Sequence, residues 1–179
     1  TTSGWFALRP VPDASVIELT VDAGAAGVLT ALVARVRRMF DLDADPSLIA
    51  SHLAPDPALG PLIARWPGLR LPAAFDPFEQ AVRAIIGQQV TVKAAVTVTG
   101  RVVARFGEAL PNAPAGGPDR LFPTPAAVAS GCLDGLGMPG KRVETLRRFA
   151  QVVAEGALEL SADRGVDKWT TYSRTSVCR

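Results

Sequence analysis

Histidine and cysteine, the usual side chains of catalytic triads and of zinc and iron–sulfur sites, are scarce in this sequence, and this limits the chemistry open to the chain. His52 is the single histidine, and Cys132 and Cys178 are the two cysteines among 179 residues. This inventory argues against a histidine-based triad and a disulfide framework. It also argues against structural zinc and iron–sulfur sites, which need about four clustered ligands. The sequence therefore predicts no metal and no cofactor.

A short polar elbow, Gly87-Gln88-Gln89-Val90-Thr91, separates two stretches with helical periodicity. A tight turn between helices can push one side chain beyond the protein surface, while backbone N–H groups at the next helix start face a phosphate. Gln88, Gln89 and Thr91 are therefore candidates for contacts with a nucleic acid. The alternative is that the glutamines only solvate an interhelical turn, and the spacing by itself favours this alternative.

Charge is distributed unevenly along the chain. Residues 1–60 contain 4 Lys and Arg against 7 Asp and Glu, a balance of −3, whereas residues 61–179 contain 15 against 10, a balance of +5. A basic half suits a phosphate-rich partner, although ordinary solvated charge explains it equally well. The sequence contains no long uncharged apolar run that would predict a membrane span, and it does not open with a signal-peptide pattern. A cytoplasmic protein is therefore expected.

The first part of the sequence predicts a small mixed lobe. Residues 4–10 and 15–22 have the pattern of two short strands around the turn Pro12-Asp13. The Pro- and Gly-bounded connector at 67–72 and the change in charge predict a domain boundary near residue 72. Helices are predicted over 25–40 (with a stripe of Val28, Leu32, Val36 and Phe40), from Asp45-Pro46 onward, and over 57–65.

The second part predicts a helical lobe. Asp76 is a candidate N-cap, with Pro77 at the first helical position and Glu79 completing a capping box. Thr91 or Val92 opens the next helix, and Gly107 is expected to end it in the left-handed region. A surface loop is predicted over 111–120, a helix start at Thr124-Pro125 and a last helix over 139–155. The predicted apolar faces are Phe78, Val82, Ile85 and Ile86; Val92, Val96, Thr99, Val103 and Phe106; and Val143, Leu146, Phe149 and Val153.

Five motifs follow one another in the sequence: RRMFDLDADP (37–46), PGLRLP (67–72), DPFEQAVRAIIGQQV (76–90), LFPTP (121–125) and LGMPGKR (136–142). Their order and spacing resemble the 3-methyladenine DNA glycosylase II family of the helix-hairpin-helix DNA glycosylase superfamily, from about Arg38 to about Leu160. The resemblance implies an α+β fold, predominantly α. It implies a partial α/β lobe over 1–72, a helical glycosylase lobe over 73–160 that lacks a recognisable helix-hairpin-helix, and a divergent tail over 161–179.

The resemblance also gives the elbow a role. In this family the residue in the place of Gln89 enters the minor groove and fills the space that a flipped base leaves. The loop at Gly137-Met138 is expected near the DNA backbone, although a solvated basic helix face explains the Lys and Arg that follow it equally well. The implied partner is double-stranded DNA containing alkylated bases. The implied DNA-binding residues are Gln88, Gln89, Thr91, Gly137, Met138, Lys141 and Arg142.

The family's catalytic residue is an aspartate that follows a hairpin of the form L-P-G-[IV]-G-x-W-T-A. Lys168-Trp169-Thr170 faintly echoes that hairpin, but the G-[IV]-G turn is missing and no acidic residue follows Asp167. The catalytic residue is therefore unknown. Trp169 and Tyr172 are candidates to stack on a flipped base if the tail follows the family's path, and an unstructured tail is the alternative.

Three explanations fit this ending: truncation, a frameshift or a degenerate paralogue. We expect the chain to be incomplete at both ends, since the family's sheet normally has further strands before Trp5. The first functional reading is a metal-free, monomeric repair glycosylase that hydrolyses the N-glycosidic bond of 3-methyladenine-type lesions after base flipping, inactive as this chain and associated with the nucleoid. The alternatives are a non-catalytic DNA-binding module and a scaffold fragment with an exposed apolar helix face.

Overall fold

The computed structural model describes residues 4–160. The predictions for Trp169 and Tyr172 concern residues outside that range. Among the described residues the chain divides into two compact units, of which the first runs up to Phe75 and includes the loop Pro111–Gly117, and the second begins at Asp76. The fold is α+β and predominantly α, as predicted. The domain limits at residues 72 and 160 stay predictions.

The first unit opens with an antiparallel β-hairpin. Strands β1 (Phe6–Pro10) and β2 (Ile17–Val21) pair with Phe6 opposite Val21 and Pro10 opposite Ile17. The turn contains Asp13 at a φ of +59°, a conformation that Asp tolerates better than most residues. A 3₁₀ helix follows (Ala23–Val28), and then helices α1 (Leu29–Met39), α2 (Pro46–Leu53) and α3 (Gly60–Arg65).

Two predicted helix starts in this unit were wrong. The helix predicted from residue 25 begins as a 3₁₀ helix, because Gly24 and Gly27 weaken the α-helix there and Asp22 makes no side-chain cap. Leu32 and Val36 of the predicted stripe are buried, whereas Val28 is 42% exposed. The helix predicted from residue 57 begins only at Gly60, because the Asp56 carboxylate accepts the N–H groups of Ala58 and Leu59 in a turn.

Helices α2 and α3 form as the sequence suggests but bury little. The Asp45 carboxylate caps α2 by accepting the N–H of Ser47 at 2.9 Å, with Pro46 at the first helical position. Hydrogen bonds from the Ser47 hydroxyl and from the Leu48 and Ser47 amides lower the pKa of Asp45. No residue of α2 or α3 is buried. Exposed large apolar side chains in this region are Leu48, Ile49, Leu59, Leu62, Trp66, Leu69 and Leu71.

The second unit is a helical bundle of α4 (Pro77–Gly87), α5 (Val92–Phe106), α6 (Pro125–Ser130) and α7 (Gly140–Ala154). Thr124 caps α6 as predicted, accepting the Ala127 N–H at 3.2 Å. The four helices enclose a cluster of buried apolar side chains. The burial of these side chains is the main source of the unit's stability, at roughly 1.5–3 kcal/mol for each fully buried side chain. The buried cluster comprises Phe78, Val82, Ile86, Val102, Val128, Leu133, Leu136, Val143, Leu146 and Ala150.

Helices α4 and α7 lie antiparallel. At one end the Phe78 and Phe149 rings stack with centroids 5.6 Å apart. At the other end the Arg142 guanidinium bonds the Gln88 carbonyl at 2.6 Å. This pairing fixes the end of α4, from which the elbow emerges.

Half of the predicted capping box forms at α4. The Asp76 carboxylate accepts the N–H of Glu79 at 2.8 Å. The Glu79 carboxylate instead accepts from the Arg83 guanidinium at 2.8 Å, one turn further along α4. A charged donor on the same helix competes successfully for the carboxylate, so the cap is a single bond.

The predicted face of α5 was wrong at its first two positions. Val92 and Val96 are 82% and 61% exposed, whereas Thr99 and Val102 are buried. The side that packs on the core consists of Ala95, Val98, Thr99, Val102 and Phe106. Since α5 carries valines on both its buried and its exposed sides, residue type alone does not decide which of them the neighbouring helices cover.

Gly107 ends α5 for a different reason from the predicted one. Its φ is −76°, outside the left-handed region. A β-carbon at this position would lie 2.4 Å from the Leu121 carbonyl oxygen and 2.6 Å from that of Val103. Glycine is needed here for close backbone approach rather than for a left-handed turn. Between residues 4 and 160, no helix is both long and apolar enough to cross a membrane.

Candidate nucleic-acid interface

The elbow between α4 and α5 starts at Gly87, the last residue of α4, and continues through four residues to Thr91. α4 ends at Gly87, Gln88 is extended at φ −60° and ψ 125°, and Thr91 is the N-cap of α5 at φ −69° and ψ 153°. Gln88, Gln89, Val90 and Thr91 are all exposed. The structure thus presents the polar elbow on the surface, at the junction of α4 and α5.

Gln89 has an unusual backbone conformation for its side chain. Its φ is +55°, one of four positive values at non-glycine residues in the described range. The other three are Asp13, Asp41 and Asn112, whose short polar side chains favour this region through local hydrogen bonds. Gln lacks that advantage, so its left-handed conformation is imposed by the surrounding fold and costs on the order of 1 kcal/mol.

The start of α5 has the features of an anion-binding helix terminus. The Thr91 hydroxyl accepts the N–H of Ala94 at 3.2 Å, and the Thr91 carbonyl accepts that of Ala95 at 3.0 Å. The first N–H groups of a helix have no acceptor within the helix and carry the positive end of its dipole. Lys93 lies exposed on this first turn. The Thr91 side chain therefore shapes the helix start, while the backbone and Lys93 supply positive charge.

An open groove of about 240 Å³ lies beside the elbow. Its lining is mostly apolar, with Arg83 and Thr99 as the polar members, and contains no carboxylate. Sequence reasoning assigned Val92 and Val96 to the core and missed this groove. The exposure of Val92 could have been inferred from its position directly after the N-cap, because the first turn of a helix often extends beyond the helices that pack against it. The lining residues are Arg83, Gly87, Val90, Val92, Ala95, Val96 and Thr99.

The loop before α7 is held against α5 by two arginines. Arg101 donates to the Leu136 carbonyl at 3.1 Å, and Arg105 donates to the carbonyls of Cys132 and Asp134 at 3.0 and 2.7 Å. Sequence reasoning missed both arginines, although their spacing of four places them on one side of α5. They fix the path of the loop that leads into Lys141 and Arg142.

Gly137 and Met138 occupy different surroundings within this loop. Gly137 has a φ of +92°, and a β-carbon there would lie 2.7 Å from the Arg101 guanidinium. Met138 is half-buried against the core of the second unit. The structure therefore places Gly137 beside α5 and packs Met138 against the core, while the DNA contacts of both residues stay predictions.

Lys141 and Arg142 differ although they are adjacent. Lys141 is exposed, whereas Arg142 is half-buried and bonded to Gln88. Of the predicted DNA-binding residues, Gln88, Gln89, Thr91 and Arg142 are brought together directly, and Lys141 adjoins Arg142. Among the described residues, no three His, Cys, Asp or Glu side chains cluster as a metal site would need.

Comparison with solved structures identifies the class of fold. The chain superposes on a 3-methyladenine DNA glycosylase from Archaeoglobus fulgidus with a TM-score of 0.62 at 21% identity, covering 82% of this chain and 51% of that one. It superposes equally well, at 19% identity, on an 8-oxoguanine glycosylase/lyase from Clostridium acetobutylicum in complex with double-stranded DNA, covering 85% and 50%. The fold is that of the helix-hairpin-helix DNA glycosylases.

Sequence comparison finds relatives among the DNA-3-methyladenine glycosylases. Residues 1–76 match the family model of the AlkA N-terminal domain. The DNA-3-methyladenine glycosylase 2 of Escherichia coli is 37% identical over 163 residues, which cover 88% of this chain and 55% of that protein. The chain is thus similar, over most of its length, to DNA-3-methyladenine glycosylase 2 proteins, which is the resemblance that the five motifs predicted. It spans about half the length of this curated relative.

Proposed function

We propose that this chain is part of a DNA repair glycosylase of the alkylated-base class. Such an enzyme flips a 3-methyladenine-type lesion out of duplex DNA and hydrolyses its N-glycosidic bond. Within that reaction we assign residues 1–179 the task of engaging double-stranded DNA and filling the space that the flipped base leaves. A cytoplasmic location at the nucleoid is the expected consequence of such a substrate.

One observation carries the proposal: Gln89 is exposed at the tip of an interhelical elbow and held at a positive φ. Flipping a base costs a few kcal/mol of lost stacking and pairing. A side chain that enters the vacated space recovers part of this cost, provided that its position is fixed before binding. The carboxamide of Gln89 can in addition donate to and accept from the base that has lost its partner.

Positive charge around the elbow supports the same assignment. Lys93 and Lys141 are exposed on the first turns of α5 and α7. The N-terminal amides of α5 add the positive end of a helix dipole. Lysines and helix termini bind phosphate without reading sequence, as a protein that searches DNA for damage requires.

The chemical step needs a carboxylate that the described residues do not bring to the elbow. Hydrolysis passes through an oxocarbenium-like sugar that a nearby carboxylate stabilises. Asp76 is committed to the cap of α4 and Glu79 to Arg83. The groove beside the elbow has no acidic side chain in its lining. We therefore propose that residues 1–179 bind damaged DNA and that excision depends on a carboxylate outside this interface.

The test compares binding to two duplexes that differ in one nucleotide. We expect the chain to bind a duplex containing a tetrahydrofuran abasic analogue more tightly than the matching intact duplex, because the gap is already open. Gln89→Ala removes the side chain that fills the gap, so the preference should fall about tenfold, or ~1.4 kcal/mol. Binding to the intact duplex should change little. A wild-type chain without any preference would contradict the proposal.

The absence of an acidic side chain from the lining of the groove also favours a second candidate function, a non-catalytic DNA-binding module. Incubating the chain with methylated duplex DNA and measuring free 3-methyladenine by chromatography tests whether residues 1–179 excise the base themselves. Release at a rate above the spontaneous one would reject the non-catalytic module and would show that these residues hold a catalytic group. Lesion-selective binding without release is the result that both candidates predict for this chain.

A further inference from the structure

Arg142 makes a contact that its position in a basic helix face does not suggest. Its Nη2 donates to the Gln88 carbonyl at 2.6 Å, joining residues that are 54 positions apart in the sequence. The neighbouring Lys141 is exposed to solvent, while Arg142 is half-buried. The guanidinium is thus directed at the protein's own backbone, between the start of α7 and the end of α4.

This carbonyl occupies a sensitive place in the elbow. The Gln88 oxygen and the Gln89 nitrogen belong to one planar peptide group. Fixing the oxygen fixes the plane from which the φ of Gln89 is measured. A residue at a φ of +55° without a favourable side chain relaxes readily to the commoner negative region unless something opposes the rotation. The Arg142 contact opposes that rotation from outside the elbow.

Arginines that hold carbonyls recur in the second unit. Arg101 and Arg105 fix the loop before α7 in the same manner, and Arg120 donates to the Gly107 carbonyl at 2.8 Å. A guanidinium suits this task because it is planar, permanently charged and equipped with several donors in a rigid arrangement. An uncharged side chain of the same length does not offer this combination.

We infer that Arg142 is a positioning residue for Gln89: it sets the conformation of the Gln88–Gln89 peptide and thereby prepares the elbow to enter a gap in duplex DNA. This inference rests on the proposed function, since it concerns the same interface. It separates Arg142 from Lys141, to which the proposed function assigns a phosphate contact.

The experiment uses the full chain with Arg142→Gln and Lys141→Gln, the latter as the matched loss of one positive charge. Binding to the abasic-analogue duplex and to the intact duplex is measured over a range of salt concentrations. For Arg142→Gln we expect the preference for the abasic duplex to fall to the level of Gln89→Ala, with the salt slope unchanged. For Lys141→Gln we expect equal weakening on both duplexes and a salt slope reduced by about one.

A double variant tests whether Arg142 acts through Gln89. If it does, Gln89→Ala combined with Arg142→Gln should lose no more preference than either single variant. Additive losses would overturn the inference. So would an Arg142→Gln variant that behaves like Lys141→Gln, because that pattern identifies a phosphate contact.

Amide hydrogen exchange of the free protein provides a readout that does not depend on DNA. The Ala94 and Ala95 amides, which donate to the Thr91 hydroxyl and carbonyl at the end of the elbow, should exchange faster in Arg142→Gln and at the wild-type rate in Lys141→Gln. Unchanged exchange in Arg142→Gln would overturn the positioning role even if the wild type binds damaged DNA. If Arg142→Gln exchanges faster than the wild type but the wild type shows no preference for damaged DNA, the positioning role stands and only the proposed function is rejected.

Discussion

Gly100 lies within α5 and Gly107 directly follows its last residue, and the two glycines differ in what surrounds them. No atom beyond the local helix lies within 4 Å of the position that a β-carbon would take at Gly100. At Gly107 the same position lies 2.4 Å from one carbonyl oxygen and 2.6 Å from another. Both residues have negative φ, so the comparison isolates steric fit from backbone strain.

Gly107→Ala should therefore destabilise the chain by about 1–3 kcal/mol, since backbone atoms must move to admit the methyl group. Gly100→Ala, the matched control, should stabilise it by about 0.5–1 kcal/mol because alanine is the better helix former. Urea unfolding followed by circular dichroism gives both values. Two variants of equal stability would show that the close approach at Gly107 is wrong.

For Gly107 the sequence predicted the position of the helix end but not its physical cause. The pattern located the end of α5 correctly, because glycine after a run of helix formers predicts an end. It assigned the wrong cause, since the approach of the Leu121 carbonyl depends on a segment fourteen positions away. The positive φ of Gln89 was likewise inaccessible, because nothing in the glutamine side chain favours that conformation.

At the scale of the helices, Val82 and Val92 provide a direct test of which face is buried. Val82 on α4 is fully buried, and Val92 at the start of α5 is 82% exposed. Val82→Ala should cost about 2–3 kcal/mol through the two lost methyl groups and the cavity that they leave. Val92→Ala should change the free energy of unfolding by less than about 0.5 kcal/mol. Similar losses for both would contradict the assigned face of α5.

The helices themselves were largely predictable, for identifiable reasons. Asp45, Asp76 and Thr124 each precede a proline at the first helical position and cap the helix that follows. Such local signals do not depend on the rest of the fold. The face of α5 was less predictable, because Val92 and Val96 suggest burial by type but lie beside an open groove. Only the packing of neighbouring helices decides which valines are covered.

At the scale of the whole molecule, the chain divides into units of different character. The second unit holds the large buried cluster and the elbow. In the first unit, α2 and α3 bury no residue and leave several leucines and Trp66 exposed. The five motifs were sufficient to recognise the resemblance to the family, because their order reflects a shared fold, but no motif identified a catalytic carboxylate within residues 1–179.

The position of residue 89 in a DNA complex tests the account most directly. Gln89→Cys is incubated with a duplex in which the base opposite an abasic analogue carries a tethered mixed disulfide. Thiol–disulfide exchange, which releases the small thiol of the tether, can crosslink the protein to this base only if residue 89 reaches into the gap. Val92→Cys is the matched control, since Val92 is also exposed and lies three positions away on α5. The wild-type chain reports the reactivity of its native cysteines. We predict rapid crosslinking at position 89 and only background levels in both controls. Equal crosslinking at 89 and 92, or none at 89 under conditions where the duplex is bound, would contradict the claim that this elbow fills the space of a flipped base.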